Sequence, residues 1–389
     1  MKKTYEFLVP DYYPKFRCKM GECRRACCEG WPVTISRADY FRLVGISCGA
    51  DLRRRLDAAL HILSNPTPEE YAEISPRYDG TCPLRLEDGR CALHAELGEE
   101  ALSMVCRLFP RGFRIRGAFE SSCTNSCEAV PEMLMNHPEP LRFVKIPITI
   151  DLPPAAERKN EFATGGREQE IRLYYIRIIQ NRELSLPDRL MTLRTAMLDM
   201  EQALRGGDAE RVGALLAALP KRFAGTSSKP GQADLDFGMP IAKAMVEQVD
   251  RRSRSVRQYG EETLEWFARE DNRIERYREA IANYERIVPN RETILEHLLV
   301  NHMFFEQFPF QDRPVPVIDE FAAICAVYTL LRFLTIGWMA IHPSQTDFID
   351  VCAAVFRLVS HTDFDRFAAE LLKELDCATP ERIYSLIRL

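Results

Sequence analysis

Beyond residue 167 the apolar positions recur every three or four residues almost without interruption, a spacing that predicts helices at about 168–184, 188–205, 208–219, 238–258, 261–286, 290–306, 318–341, 344–359 and 363–376. The first third reads differently. Residues 1–17 look extended, with Pro10 and Pro14 bracketing Asp11-Tyr12-Tyr13. Ser36 is placed to cap a helix through Tyr40, Phe41 and Val44, and a second helix spans Asp51 to Leu63 before Asn65-Pro66-Thr67-Pro68 ends it. Asp79-Gly80 and Asp88-Gly89 mark turns, Gly98–Phe109 has one apolar face and stops at Pro110, and Gly112–Phe119 alternates weakly as a strand would.

These patterns predict a mainly α protein: a cysteine-rich metal-binding N-terminal domain with few short strands, followed by helical bundle domains. The boundaries fall at punctuation in the sequence. Residues 1–137 form the cysteine-rich domain, and 138–166, with five prolines and Gly165-Gly166, form a connector. Residues 167–232 form a middle helical domain closed by the loop Gly225–Gly231, and 233–389 a C-terminal one.

Charge excludes some functions. The chain of 389 residues is 46% hydrophobic and carries a net charge of −5. Residues 1–130 hold 19 Lys and Arg against 18 Asp and Glu, so no basic face announces a nucleic-acid partner. Glu6 and Pro10 interrupt the N-terminal apolar run before a signal peptide can form. The most apolar stretch, Ile318–Ile341, contains Asp319, Glu320 and Arg332 and reads as a buried helix, with no transmembrane segment expected. A cytoplasmic location follows from these features.

Cysteine usage then changes the picture. Cys18, Cys23, Cys27 and Cys28 fall within eleven residues, and Cys82, Cys91, Cys106, Cys123 and Cys127 follow within the first third of the chain. In a reducing compartment a disulfide framework is disfavoured, and the total of 13 is odd. Metal or redox thiols remain. All nine are metal-ligand candidates, because soft thiolates select zinc or iron–sulfur clusters. Cys23 and Cys27 are one helical turn apart. Cys27 and Cys28 are adjacent and on a helix would point about 100° apart, so the two are expected to do different jobs. His94, separated from Cys91 by two residues, is a further candidate ligand, whereas Cys48, Cys325, Cys352 and Cys377 read as packing thiols. Arg17, Lys19, Arg24 and Arg25 would favour thiolates nearby.

A family resemblance rests on specific runs. Cys82-Pro83-Leu84, Asp88-Gly89-Arg90-Cys91 and Val105-Cys106-Arg107-Leu108-Phe109-Pro110 resemble the zinc- or iron-chelating cysteine-cluster family. Pro10-Asp11-Tyr12, Phe16-Arg17-Cys18, Cys27-Cys28-Glu29-Gly30-Trp31, Ser122-Cys123 with Cys127, and Val300-Asn301-His302-Met303-Phe304-Phe305 leading to Phe308-Pro309-Phe310 resemble the flagellin lysine-N-methylases. That resemblance implies methyl transfer from S-adenosylmethionine to lysine side chains of flagellin, assisted by an iron–sulfur cluster of the 4Fe-4S type on the N-terminal cysteines. Zinc is the alternative metal. A cysteine-rich zinc scaffold that binds a protein partner without catalysis is the alternative function, and thiol redox sensing a third. The chain departs from ordinary radical S-adenosylmethionine enzymes, whose motif separates its last two cysteines, and it has no Gly-rich strand-to-helix turn of the usual methyltransferase kind.

Overall fold

The computed structural model describes residues 3–115, 118–151, 164–223, 231–249, 253–268, 272–311 and 316–389. Among them are seven strands and sixteen α-helices. The chain opens with β1 (Lys3–Pro10), where Phe7 and Val9 are buried. Then come β2 (Val33–Ile35), α1 (Arg37–Val44), α2 (Ala50–Ala59), β3 (Leu60–Ile62) and β4 (Ala72–Ile74). Ser36 caps α1 as expected, its hydroxyl accepting the Asp39 N–H at 3.2 Å. The second expected helix is shorter than its pattern. Leu60–Ile62 leave it as β3 and pair antiparallel with β4, which also pairs with β2.

Next lie α3 (Ala92–Leu97), α4 (Met104–Leu108), β5 (Arg111–Arg114), β6 (Glu120–Cys123), α5 (Ala129–Met135) and β7 (Phe143–Ile150). The helix expected over 98–109 is broken, because Ser103 adopts an extended backbone and caps α4 instead. Part of the strand expected over 112–119 lies outside the described residues. Strands β5, β6, β1 and β7 form one sheet in that order, with β6 parallel to β1 and the other pairs antiparallel. Phe143–Ile150 was expected to be connector. It pairs with β1 over its whole length, and Pro147 is tolerated because β7 is an edge strand. Much of the remaining connector, 152–163, lies outside the described residues, as does 224–230 of the expected Gly225–Gly231 loop.

The helical region comprises α6 (Glu168–Ile179), α7 (Leu186–Arg205), α8 (Ala209–Ala217), α9 (Gln232–Glu247), α10 (Arg254–Ala268), α11 (Arg273–Ile287), α12 (Arg291–Phe305), α13 (Val317–Ile341), α14 (Gln345–His361), α15 (Phe364–Glu374) and α16 (Pro380–Ile387). The two helices expected over 238–258 and 261–286 are three. Their ends fall near residues 248 and 272, where no Gly or Pro interrupts the pattern, so packing around α13 sets the breaks. α16, not anticipated, starts on a Thr379 cap with Pro380 in its first turn.

α13 is apolar on every side and long enough to cross a bilayer, yet it is 83% buried by protein over its most apolar window. Helices α7, α9, α10, α11, α14, α15 and α16 pack around it. Its charged positions are satisfied. Arg332 donates to the Leu389 carbonyl at 3.1 Å, and Asp319 pairs with Lys373.

Two main cores result. The larger runs from Phe7, Val9, Tyr12 and Phe16 through Cys123 and Leu134 into every helix from α6 to α16. The smaller one, built on Ile35, Leu52, Leu56, Ile74, Leu84 and Leu93, is confined to residues 33–102. Residues 1–137 thus contribute to both.

Candidate metal centre

Between Cys18 and Trp31 there is almost no regular structure, so side chains must fix the loop. Glu128, its carboxylate shut off from solvent, accepts the backbone N–H groups of Arg24 at 3.2 Å and Arg25 at 2.9 Å, and the Lys19 ammonium at 3.0 Å. These interactions hold the carboxyl below its usual range against the opposing effect of burial. Arg24 reaches Asp350 on α14 at 2.8 Å. Arg357, also on α14, donates to the carbonyls of Arg25 and Ser126, both at 3.2 Å. Its guanidinium lies 5.0 Å from the centre of the Trp31 ring, which stacks on His361 at 4.2 Å. Burial, helped by Arg357, brings His361 down to about 4.

The far end of the loop is tied to another segment. Cys82 N–H donates to the Cys28 carbonyl at 2.9 Å, Gly30 N–H to the Gly80 carbonyl at 2.8 Å, and Arg85 pairs with Glu29. Arg85 and Cys91 form an isolated bridge across the Asp88-Gly89 turn. Gly89 has φ +83°, and a Cβ there would lie 2.4 Å from the Gly21 carbonyl oxygen, so only glycine lets this turn press against the thiol loop.

This framework sorts the thiols. Cys28, Cys82, Cys91 and Cys106 are close enough that all six pairs repel one another as thiolates. Cys127 is likewise close to Cys18, Cys23 and Cys27, Cys18 to Cys23, and Cys27 to Cys106, so the two groups run into each other. Burial pushes Cys23 and Cys106 up to about 11 and Cys82 and Cys127 up to about 12. Cys28 alone goes down, to about 7, because the Cys27 S–H donates to it and Arg85 and Arg357 lie nearby. The same bond, with burial, pushes Cys27 up. Cys27 and Cys106 are exposed residues, yet many protein atoms surround their thiols, which accounts for the raised values.

Cys123 is apart. It is 0% exposed on β6 and packs into the larger core. Cys48 is half-buried against the smaller core, and Cys325, Cys352 and Cys377 are buried in the larger one. Among the described residues no three His, Cys, Asp or Glu side chains converge at metal distance, so the thiols are gathered but not closed, and His94 completes no site with Cys91. The donor chemistry nonetheless fits a thiophilic metal. Arg85 and Arg357 lie beside Cys28 and each keeps a buried Nε–H without a hydrogen-bond partner, as Arg172 and Arg194 do elsewhere.

The distant motifs also meet. Tyr12 donates to Asn301 Oδ1 at 2.7 Å, and Asn301 Nδ2 donates to the Cys123 carbonyl at 2.8 Å and to Asn125 Oδ1 at 2.7 Å. A family model described as the FliB lysine N-methylase C-terminal domain matches residues 172–386. This chain belongs to the FliB lysine N-methylase family. The matched part of this FliB family member begins at Arg172, in α6, and includes Asp350, Arg357 and His361, the α14 residues that grip the cysteine loop. The lysine-N-methylase of Salmonella typhimurium is 29% identical over 133 residues, covering 33% of this chain and 32% of that protein. The flagellar biosynthetic protein FliU of Salmonella muenchen is 28% identical over 132 residues, covering 33% of this chain and 77% of that one. The chain thus spans about a third of the length of the lysine-N-methylase it matches. No solved structure matches.

Beside the thiol loop this FliB family member has a cleft of about 640 Å3, lined by Asp11, Arg17, Lys19, Glu132, His137 and Arg142 among others. His137 Nε2 lies 3.2 Å from Asp11 Oδ1, and its Nδ1 faces the Glu139 carbonyl at 2.7 Å. Sequence reading had not singled out Glu128, Asp350 or Arg357. Each looks like an ordinary surface ion when its neighbours are more than a hundred residues away.

Proposed function

We propose that this protein transfers methyl groups from S-adenosylmethionine to lysine side chains of flagellin, and that an iron–sulfur cluster of the 4Fe-4S type, held by N-terminal cysteines, takes part. The observation that carries the reading is the family match over the helical region, joined to the fact that this region's own α14 holds the cysteine loop in place. The name of the FliU relative supports a flagellar substrate.

A cluster with an open iron would supply a site for the amino and carboxylate groups of S-adenosylmethionine. The chain's own residues do the rest. Arg85 and Arg357 balance negative charge at the thiols. Glu128 ties the loop down through the N–H groups of Arg24 and Arg25. The cleft walled by Arg17, Lys19 and Glu132 is where the lysine side chain would enter; Glu132 there is paired with Lys19 and Arg24, and Asp11 with His137 and Arg142. Proton removal is required, since free lysine titrates near 10.4 and only the neutral amine is a nucleophile.

The test is intact-mass analysis of flagellin incubated with iron-reconstituted protein, S-adenosylmethionine and a reductant. Gain of whole methyl units, lost on Cys28→Ser, is expected. A colourless protein with stoichiometric zinc that leaves flagellin unchanged would replace this reading by the zinc scaffold.

A further inference from the structure

We propose that the part of the chain built on the smaller core carries a phosphate site: the cavity between α2 and the segment 75–83, walled by Arg54, Arg55 and Arg77, takes a phosphate dianion, free or as the monoester of a small molecule. The site shares no residue with the 640 Å3 cleft and depends neither on methyl transfer nor on metal at the thiols.

Three consecutive arginines on α2 diverge. Arg53 turns to the end of α1, where it donates to the carbonyls of Leu43 and Val44. Arg54 and Arg55 line a cavity of about 340 Å3 together with Arg77, His61 and Pro83. Its floor is anchored. Arg55 Nη1 and Arg77 Nη2 both donate to the carbonyl of Pro83, each at 3.1 Å, and Pro83 is a buried residue. Two guanidiniums from different segments are thereby held side by side on one oxygen, an arrangement that repels itself until an anion joins it.

One carboxylate lines the cavity. Asp51 pairs with Arg54 at 3.1 Å and with Arg55 at 2.8 Å, both within α2. Arg77 makes no ion pair among the described residues, and the carboxylate of Asp79 is turned instead to the N–H and hydroxyl of Thr81, at 2.9 and 2.7 Å. Three guanidiniums against one carboxylate leave a surplus of two positive charges, which a phosphate dianion balances and a lone carboxylate does not. The planar fork of Arg suits phosphate oxygens, and a fork already fixed on a carbonyl loses little freedom when it binds them.

Access and shape agree with a small ligand. Arg54 and Arg77 are exposed and Arg55 half-buried, so the cavity opens to solvent. Its volume is at the small end of ligand pockets, and Ala58 and Pro76 give it an apolar wall for the carbon part of a monoester.

The experiment is isothermal titration of the full chain, in buffer free of phosphate and sulfate, with inorganic phosphate, with ribose 5-phosphate and with glutarate. Saturable one-to-one binding of phosphate is expected. Inorganic phosphate binding alone would name the free ion as the source, and tighter binding of ribose 5-phosphate a monoester. Arg55→Gln and Arg77→Gln should each weaken binding at least about tenfold, through loss of hydrogen bonds to a charged group. Asp51→Asn should strengthen it, because the competing carboxylate is gone. Arg90→Gln, outside the cavity and paired with Asp88, should leave it unchanged. Melts without phosphate check that each variant folds, and Arg77, being exposed, keeps the test open where Arg55→Gln does not. Absence of saturable binding, equal weakening in Arg90→Gln, no gain in Asp51→Asn, or glutarate binding as tightly as phosphate each overturns the site. Mass analysis of flagellin plays no part in this readout, so failure of the methylase reading and failure of the phosphate site are separate results.

Discussion

The surroundings of α13 and those of the thiol loop are held by opposite means. Around α13 nearly every contact is apolar and comes from regular helices, so burial fixes the geometry many times over. Around Cys18–Trp31 the contacts are polar and directional, made by a few long-range side chains: Glu128, Arg357, Asp350 and Arg85. The lesson is that the helical region is fixed by burial, while the thiol loop is positioned by a few polar side chains that reach out of that packing.

The largest test of this contrast is Phe333→Ala. Phe333 is 0% exposed at the centre of the bundle, and its loss should cost about 3–5 kcal/mol in urea unfolding. Phe41→Ala, at 58% exposure, should stay within about 0.5 kcal/mol. Equal effects would mean that the core is not where the stability resides.

Glu128→Ala comes next. It removes the acceptor of two backbone N–H groups and of Lys19, worth about 1.5–3 kcal/mol where the acceptor is charged. Amide exchange at Arg24 and Arg25 should accelerate far more than exchange in α13. A uniform acceleration would erase the distinction between the regions.

Arg357→Gln has a smaller, local effect. In the metal-free protein the alkylation midpoint of Cys28 should move up from about 7 towards the ordinary thiol value near 8.5, with no change in helix content. An unmoved midpoint would show that α14 does not reach the thiols electrostatically.

Smallest is a pH effect at His361. The folded state holds this ring neutral down to about 4, whereas the unfolded chain binds a proton near 6.5. Over that window the unfolded state carries more protons, so stability is full above about 6.5 and declines as pH falls towards 4. His361→Gln should flatten the decline in melts compared at pH 7 and pH 5. A slope unchanged in the variant would assign it to other groups.

How much of this could be read in the sequence differs between the two regions in the same way. Helical periodicity located most of the bundle, because one face per helix is enough to specify packing. It missed the breaks near 248 and 272, which tertiary contacts impose on residues of ordinary helix propensity. It also missed β7, since Pro147 hides an alternating strand that only an edge position can tolerate. At the site, the identity of the thiols was evident and so was the oddity of adjacent Cys27 and Cys28. Their neighbours were not, because the backbone tie of Cys28 is to Cys82 and the clamp on Arg24 and Arg25 comes from Glu128. Spacing along the chain carries no information about such pairings. Tyr12, in one of the runs that carry the family resemblance, spends its hydroxyl on Asn301 in the larger core, a pairing that spacing does not reveal either.

The order of strands in the first sheet has a consequence for synthesis. β1 is made early, but its partners β6 and β7 end at residues 123 and 150. At about 5–20 residues per second, roughly 7–30 s pass between translation of β1 and completion of β7. All nine N-terminal thiols lie between β1 and β7 in the chain, so each is translated inside that interval, before β7 is complete. Until β7 is made, the thiol segments therefore belong to a chain whose first sheet is unclosed, and the closing of β7 over β1 follows.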